Sequence, residues 1–381
     1  MSIRPQFFTR LESLRGVAAI LVVFFHSPFI DGSRNFLIAN GDLFVDVFFI
    51  LSGFIISFAY LDKIDRGLGF GTFVVQRLGR LYPLHLFFLF IWLGFIWGKY
   101  LIYSQTGVGQ SPFGGDGWYT AEAFAYNLVL LHSMGVLETV SWNHPSWSIS
   151  VEFYTYLVFF GLVLCTAALF RTMRWPLIFV TMLVSYGLLF WFTREENSLL
   201  KSADYGFLRC VGGFCLGMFV YRIAPWTWRV PGPPIVQTVM ELSVVALFLG
   251  VIAVDPGLKV IELALFIIMV GLIALFAAQS EGFVSRILRS APLVLAGKIS
   301  YSIYMSHAVV LMAAGNAAGP VFGLPRIGLH YDTPWAWPIN LALLGVILVI
   351  SWGTYRWVEL PARNWVKHRF APKSKAAALN Q

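Results

Sequence analysis

Arg15 and His26 stand on one apolar run, RGVAAILVVFFHS, eleven positions apart. On a helix rising 1.5 Å per residue that separates them by roughly 16 Å. A charged group in hydrocarbon costs about 2.5 to 3.5 kcal/mol on insertion scales, so each such residue needs a partner or a task. Arg77 and Arg80 in QRLGRLYPLH are three apart and share a helix face. Two guanidinium forks side by side match the oxygens of a phosphate-bearing ligand; the competing explanation is anchoring by positive charge at a helix end, with the long stems lying along apolar surface. SWSISVE brings Trp147, Ser148, Ser150 and Glu152 to the start of the apolar run VEFYTYLVFF. A carboxylate there is expensive unless paired or protonated, and an ion pair with an arginine is its structural alternative. KISYSIYMSH carries Tyr301, Ser302, Ser306 and His307, where a single histidine is more often a satisfied bundle residue than a catalyst. Asp46 in LFVDVFFILSGFIIS is a further buried acid, and Ser52 and Gly53 after it are small enough for close helix approach, which gives them packing roles.

These residues need helices to hold them, and the composition says which kind. Of 381 residues, 58% are hydrophobic and 12% charged, against about a quarter charged in soluble domains. The apolar stretches have the length that crosses a hydrocarbon core, roughly 17 to 25 residues, and short Gly, Pro and charge-containing connectors separate them. The fold class expected is all-α, a polytopic transmembrane helix bundle of about ten spans, at 14–30, 42–61, 81–103, 147–170, 176–193, 205–223, 235–254, 258–278, 294–314 and 338–360. Segment 121–137 is apolar but broken by Glu122, Asn127 and His132, and reads as a re-entrant or surface helix.

Short cytoplasmic loops accumulate Lys and Arg. With both termini cytoplasmic, Arg4, Arg10, Lys63, Arg66, Arg77, Arg80, Arg171, Arg174, Arg229, Arg286, Arg289, Arg363, Lys367, Arg369, Lys373 and Lys375 fall inside, and few basic residues, among them Arg34, Arg194, Lys201 and Arg326, fall outside. An eleventh span would put the 63–80 loop and the basic tail on opposite sides. Topology therefore accounts for the net charge of +8 without a nucleic-acid partner. The apolar run after Arg15 lacks a small-residue cleavage site beyond Ile30, so it reads as a retained first helix. Residues 1–370 form one membrane domain, and 371–381, APKSKAAALNQ without its first Phe neighbour, reads as a disordered basic tail. Cys165, Cys210 and Cys215 lie in apolar stretches as core side chains. His85, His132, His144 and His307 form no set at metal-ligand spacing, so no metal is expected.

The segments RLESLRGVAAILVVFFHS, FVDVFFILSGFIIS, RLGRLYPLH, WSISVEFYTYLVF, ISYSIYMSH and VELPARNW resemble, in order and spacing, those of the acyltransferase 3 family, membrane-bound enzymes that O-acetylate cell-surface carbohydrates. The similarity runs from about Arg10 to Trp365 and takes the stand-alone form, without a fused hydrolase-like domain. The resemblance implies a ten-helix enzyme of a bacterial cytoplasmic (inner) membrane that takes an acyl group, usually acetyl, from cytoplasmic acyl-CoA to a hydroxyl of a glycan or other acceptor. It implies that the family's Arg-and-His pair falls on Arg15 and His26, its double arginine on Arg77 and Arg80, and its Ser-x-x-x-Glu segment on Ser148 and Glu152. The family often has a second acid after that glutamate; this chain has Phe153.

Together these readings give a path. Arg15, Arg77 and Arg80 bind the phosphates of acyl-CoA, the pantetheine arm reaches inward, and His26 is the general base on the acceptor hydroxyl. Glu152, on the outer side, orients His26 or binds the acceptor, with His307 the weaker candidate for either task. Asp46, Trp147, Ser148, Ser150 and Tyr301 support the acceptor or the structure. Acyl-CoA, a carbohydrate or lipid-linked acceptor and the bilayer are the expected partners. The rival class is a transporter or flippase using buried charges as a substrate path, against which the chain shows no matching halves. Acceptor identity, acyl chain length, oligomeric state and the oxyanion-stabilising group are not legible in the sequence.

Overall fold

The computed structural model describes residues 6–30, 35–107, 109–113, 118–168, 171–223, 229–254, 258–322 and 336–370; the expected tail, 371–381, lies outside them. Among the described residues the chain is helical, with one isolated bridge between Arg229 and Gln279. In order the helices are α1 (Gln6–Phe25), α2 (Phe36–Ala39), α3 (Phe44–Asp65), α4 (Phe70–Thr106), α5 (Ala121–Leu128), α6 (Trp147–Ala168), α7 (Arg174–Phe192), α8 (Gly206–Ile223), α9 (Pro234–Ala253), α10 (Lys259–Ala277), α11 (Phe283–Leu288), α12 (Ala291–Lys298), α13 (Ser300–Phe322), α14 (Ala336–Thr354) and α15 (Leu360–Arg369). Among the described residues eight helices are long and apolar enough to cross a membrane, and nine if α12 and α13, bent by 72°, make one span. α1 carries Arg10, Glu12 and Arg15 in its first turns; with it, every segment expected to span has its helix. The protein is an integral membrane helix bundle.

Segment 121–137 does not form one long helix. α5 has eight residues, about 12 Å at helix rise and too short to cross. The chain after it turns back into the bundle: the Tyr82 hydroxyl donates to the Leu128 carbonyl at 2.6 Å, His85 Nε2 donates to the Asn127 carbonyl at 2.9 Å, and Ser150 Oγ donates to the Leu130 carbonyl at 2.6 Å. Ser150 thus pins this return. His132 lies there, stacked 5.7 Å from His85.

Three close crossings fix the frame. A methyl on Gly217 would lie 1.9 Å from the Ile50 carbonyl oxygen and one on Gly53 2.0 Å from that of Phe214, so α3 and α8 touch backbone to backbone. Small residues permit this, and in lipid such contacts are the main source of helix association. Gly16 and Gly297 do the same for α1 and α12: methyls there would lie 2.6 Å from the Gly297 nitrogen and 2.2 Å from the Glu12 carbonyl oxygen. Gly79 of α4 receives the Val366 side chain of α15.

Buried charges are tied among helices. Arg10, 1% exposed, donates to the carbonyls of Phe276, Ala278 and Ser280 at 3.1, 2.6 and 3.2 Å, meeting the orphan acceptors at the end of α10. Asp46 pairs with Arg209 through 3.0 and 2.6 Å hydrogen bonds, both residues 1% exposed. The Arg209 guanidinium also lies 5.5 Å from the Trp147 ring centroid. Asp46 and Trp147 therefore belong to a tie between α3, α6 and α8. At the other end of α3, Asp65 accepts two hydrogen bonds from Arg174, at 2.9 and 2.6 Å.

Candidate active site

Five helices place polar side chains around a cavity of about 110 Å³. α1 contributes Arg15, α4 Arg77 and Arg80, and α13 Tyr301 and Tyr304. α6 contributes Ser148, Glu152 and Tyr156, at the four-residue spacing that stacks side chains on one helix face. Ser52 of α3 completes this wall.

Within it the hydrogen bonds are specific. Ser52 and Tyr156 hydroxyls both donate to Glu152 Oε1 at 2.6 Å. Ser52 is therefore a polar ligand of the carboxylate, which corrects the packing role expected for it beside Gly53. Arg77 donates to the Tyr60 hydroxyl at 2.6 Å and lies over that ring, 4.6 Å from its centroid. Arg80 pairs through Nη1 with Glu359, whose other oxygen accepts from Ser302 at 3.0 Å. Tyr301 lies under Arg80 at 5.1 Å and donates to the Leu81 carbonyl at 2.6 Å. Arg15 makes no hydrogen bond or ion pair with any described residue. Three arginines line the cavity beside one lining carboxylate, Glu152, while Glu359 stands behind Arg80 and Glu12 acts on Arg15 from outside the lining; the excess of positive charge on the wall suits a bound anion.

His26 and His307 lie outside this lining and against each other, ring centroids 5.0 Å apart. His26 is exposed, whereas His307 is fully buried. His26 Nδ1 is 3.0 Å from the Val22 carbonyl oxygen; a carbonyl only accepts, so Nδ1 carries the proton and Nε2 keeps its lone pair. The group that orients His26 is therefore the backbone of its own helix and not Glu152, which sits with the arginines and not beyond His26. His307 forms no hydrogen bond with a described residue, and its ring lies 5.7 Å from that of Tyr304. Tyr304 is the seam between the arginine cavity and the histidine pair. Among the described residues no three His, Cys, Asp or Glu side chains are grouped to hold a metal ion.

The sequence matches the model of a family described as an acyltransferase domain over residues 8–356. The chain belongs to the acyltransferase 3 family. Among curated relatives, the acyltransferase MdmB of Streptomyces mycarofaciens is 27% identical over 96% of this chain and 95% of its own. Protein 2 in the picA locus of Rhizobium radiobacter is 32% identical over 39% of this chain and 78% of its own. The O-acetyltransferase OatA of Staphylococcus aureus is 22% identical over 98% of this chain, which spans 60% of its length. No solved structure matches the chain.

In this membrane acyltransferase the structure adds residues that sequence reasoning missed. Arg209 was legible as a charge inside the apolar run 205–223, but nothing on its own helix announced Asp46 as its partner. Glu359 stands in VELPARNW, where the π-helical turn Tyr355–Glu359 aims it at Arg80. Tyr156 and Tyr304 sit four residues beyond Glu152 and three beyond Tyr301, on the faces already marked by those residues.

Proposed function

We propose that this acyltransferase moves an acyl group, acetyl in the first instance, from acyl-CoA to a hydroxyl of a carbohydrate or carbohydrate-bearing acceptor, in a bacterial cytoplasmic membrane. The observation that carries the reading is the convergence of Arg15, Arg77 and Arg80 on one cavity, with an accessible imidazole on Arg15's own helix. Arginine forks bind phosphate oxygens through paired, charge-assisted hydrogen bonds. Arg15 has both edges of its guanidinium free, and Arg80 keeps the edge that Glu359 does not use. The cavity is far smaller than a whole acyl-CoA, so only part of the donor enters it. From Arg15 to His26 is roughly 16 Å of helix rise, the reach of an extended pantetheine arm.

His26 in the Nδ1–H tautomer offers a bare Nε2. It removes the proton of the acceptor hydroxyl as oxygen attacks the thioester carbonyl, and returns that proton to the departing thiolate. Positioning the two reactants contributes the rest of the rate. His307 packs on the His26 ring and fixes its plane; Glu152, with Ser52 and Tyr156, balances the arginine charge. The names O-acetyltransferase and acyltransferase borne by the relatives support acetyl and a hydroxyl as the chemistry, and the bacterial relatives support the cytoplasmic membrane.

The test is to give labelled acetyl-CoA to inside-out membrane vesicles carrying the wild type or His26→Ala and to follow label into alkali-labile esters. Label with the wild type alone is the expected result. Equal label with both chains removes His26 from the reaction, and absence of acetyl-CoA binding by the wild type removes the donor.

A further inference from the structure

Acyl transfer from a thioester passes through a tetrahedral intermediate whose oxygen becomes an anion, and a donor must already point at that position. Resting on the acyl-CoA reading above, we infer that the Tyr304 hydroxyl is this donor. The hydroxyls around the cavity decide it. Those of Ser52 and Tyr156 give their protons to Glu152, and that of Tyr301 to the Leu81 carbonyl. The Tyr304 hydroxyl instead receives one: Ser148 Oγ donates to it at 2.9 Å, with a longer contact of 3.3 Å to the Pro145 carbonyl. No described residue accepts the Tyr304 proton. The phenol, 5% exposed, is thus held by Ser148 with its own O–H unspent.

Position separates Tyr304 from the other unspent donors. Ser300 Oγ also lacks a partner, but it is seven residues before His307, roughly 10 Å of helix rise. Arg15 is roughly 16 Å from His26 by the same measure. Tyr304 lines the cavity and is one turn from His307, whose ring touches that of His26. A thioester carbonyl brought to His26 from the arginine side meets Tyr304 first.

The step balances. The acceptor oxygen forms a bond to the carbonyl carbon as its proton passes to His26 Nε2. The carbonyl π pair moves to oxygen, where Tyr304 donates a hydrogen bond. The intermediate collapses, the C–S bond breaks, and the thiolate takes the proton from the His26 imidazolium, leaving an ester and free CoA.

Tyr304→Phe keeps the ring and deletes the donor. With labelled acetyl-CoA and membranes containing the wild type or the variant, acetyl-CoA affinity stays within about twofold while label transfer at saturating acetyl-CoA falls by about 10²- to 10³-fold, the size of one lost oxyanion donor. A transfer rate within about threefold of wild type overturns the assignment, as does loss of affinity in step with rate. If Tyr304→Phe fails to accumulate in the membrane, Ser148→Ala decides, since it leaves the phenol unaligned: a smaller loss of rate at unchanged affinity supports the role, and an unchanged rate overturns it. Wild-type membranes that bind acetyl-CoA and transfer no label overturn the parent reading and this one with it; wild-type transfer equal to that of Tyr304→Phe overturns this one alone.

Discussion

At the scale of single residues, the arginines are distinguished by what they already hold. Arg15 makes no hydrogen bond or ion pair with a described residue, its counter-charges being Glu152 and Glu12, so Arg15→Ala breaks no direct pair. It should weaken acetyl-CoA binding by about tenfold or more, since a hydrogen bond to a charged group contributes about 1.5 to 3 kcal/mol, with the protein's melting temperature in detergent unchanged. Binding equal to wild type would remove Arg15 from the donor site. Arg80→Ala differs because it strands Glu359, 2% exposed; loss of one partner of a buried pair costs about 3 to 5 kcal/mol. That variant should lose both affinity and stability, and an unchanged melting temperature would show that Glu359 does not depend on Arg80. His26→Ala has a third signature: acetyl-CoA binding persists while transfer drops by about 10² to 10⁴, the range of a general base. A drop in binding of the same size would instead make His26 a binding residue.

At the scale of elements, the site depends on crossings that no site residue makes. α3 holds Ser52 against Glu152 of α6, while Gly53, the next residue, lets α8 approach to backbone contact. Gly217→Ala should lower stability by about 1 to 3 kcal/mol, the usual penalty of overpacking, read as a fall in melting temperature in detergent. Gly250 in α9 has nothing within 4 Å of an added methyl, so Gly250→Ala should be neutral or gain up to about 1 kcal/mol. Equal behaviour of the two variants would mean that the α3–α8 crossing does not limit stability. The bend between α12 and α13 has a related role: Ile299 ends one helix, Ser300 starts the next, and the change of direction turns Ser300, Tyr301 and Tyr304 into the cavity.

At the scale of the whole molecule, the arrangement has a direction. The basic ends of α3, α4 and α15 gather near Arg77, with that of α7 tied to Asp65 at the end of α3, and His26 and Asp46 lie away from them along their helices. Reporters fused at the two termini should therefore both report the cytoplasmic side. Opposite sides would require one span more or fewer and would reverse the path from donor to acceptor. The segment after α5 belongs to this scale as well. It reaches the level of Tyr82, so a segment that does not cross the membrane supplies part of the bundle's interior, and its backbone groups are met by Tyr82, His85 and Ser150.

Much of this was legible in the residues alone. Hydropathy determined the helices, because lipid leaves a backbone no other way to satisfy its hydrogen bonds than within each span. The cost of burying charge singled out Arg15, His26, Asp46, Arg77, Arg80 and Glu152 before any contact was known. The tertiary structure alone decided who meets whom: Asp46 with Arg209, Arg80 with Glu359, Ser52 with Glu152, His26 with His307. Those partners lie 100 to 281 positions apart and on different helices, and the hydropathy of a helix fixes which face is polar without fixing which neighbour that face will find.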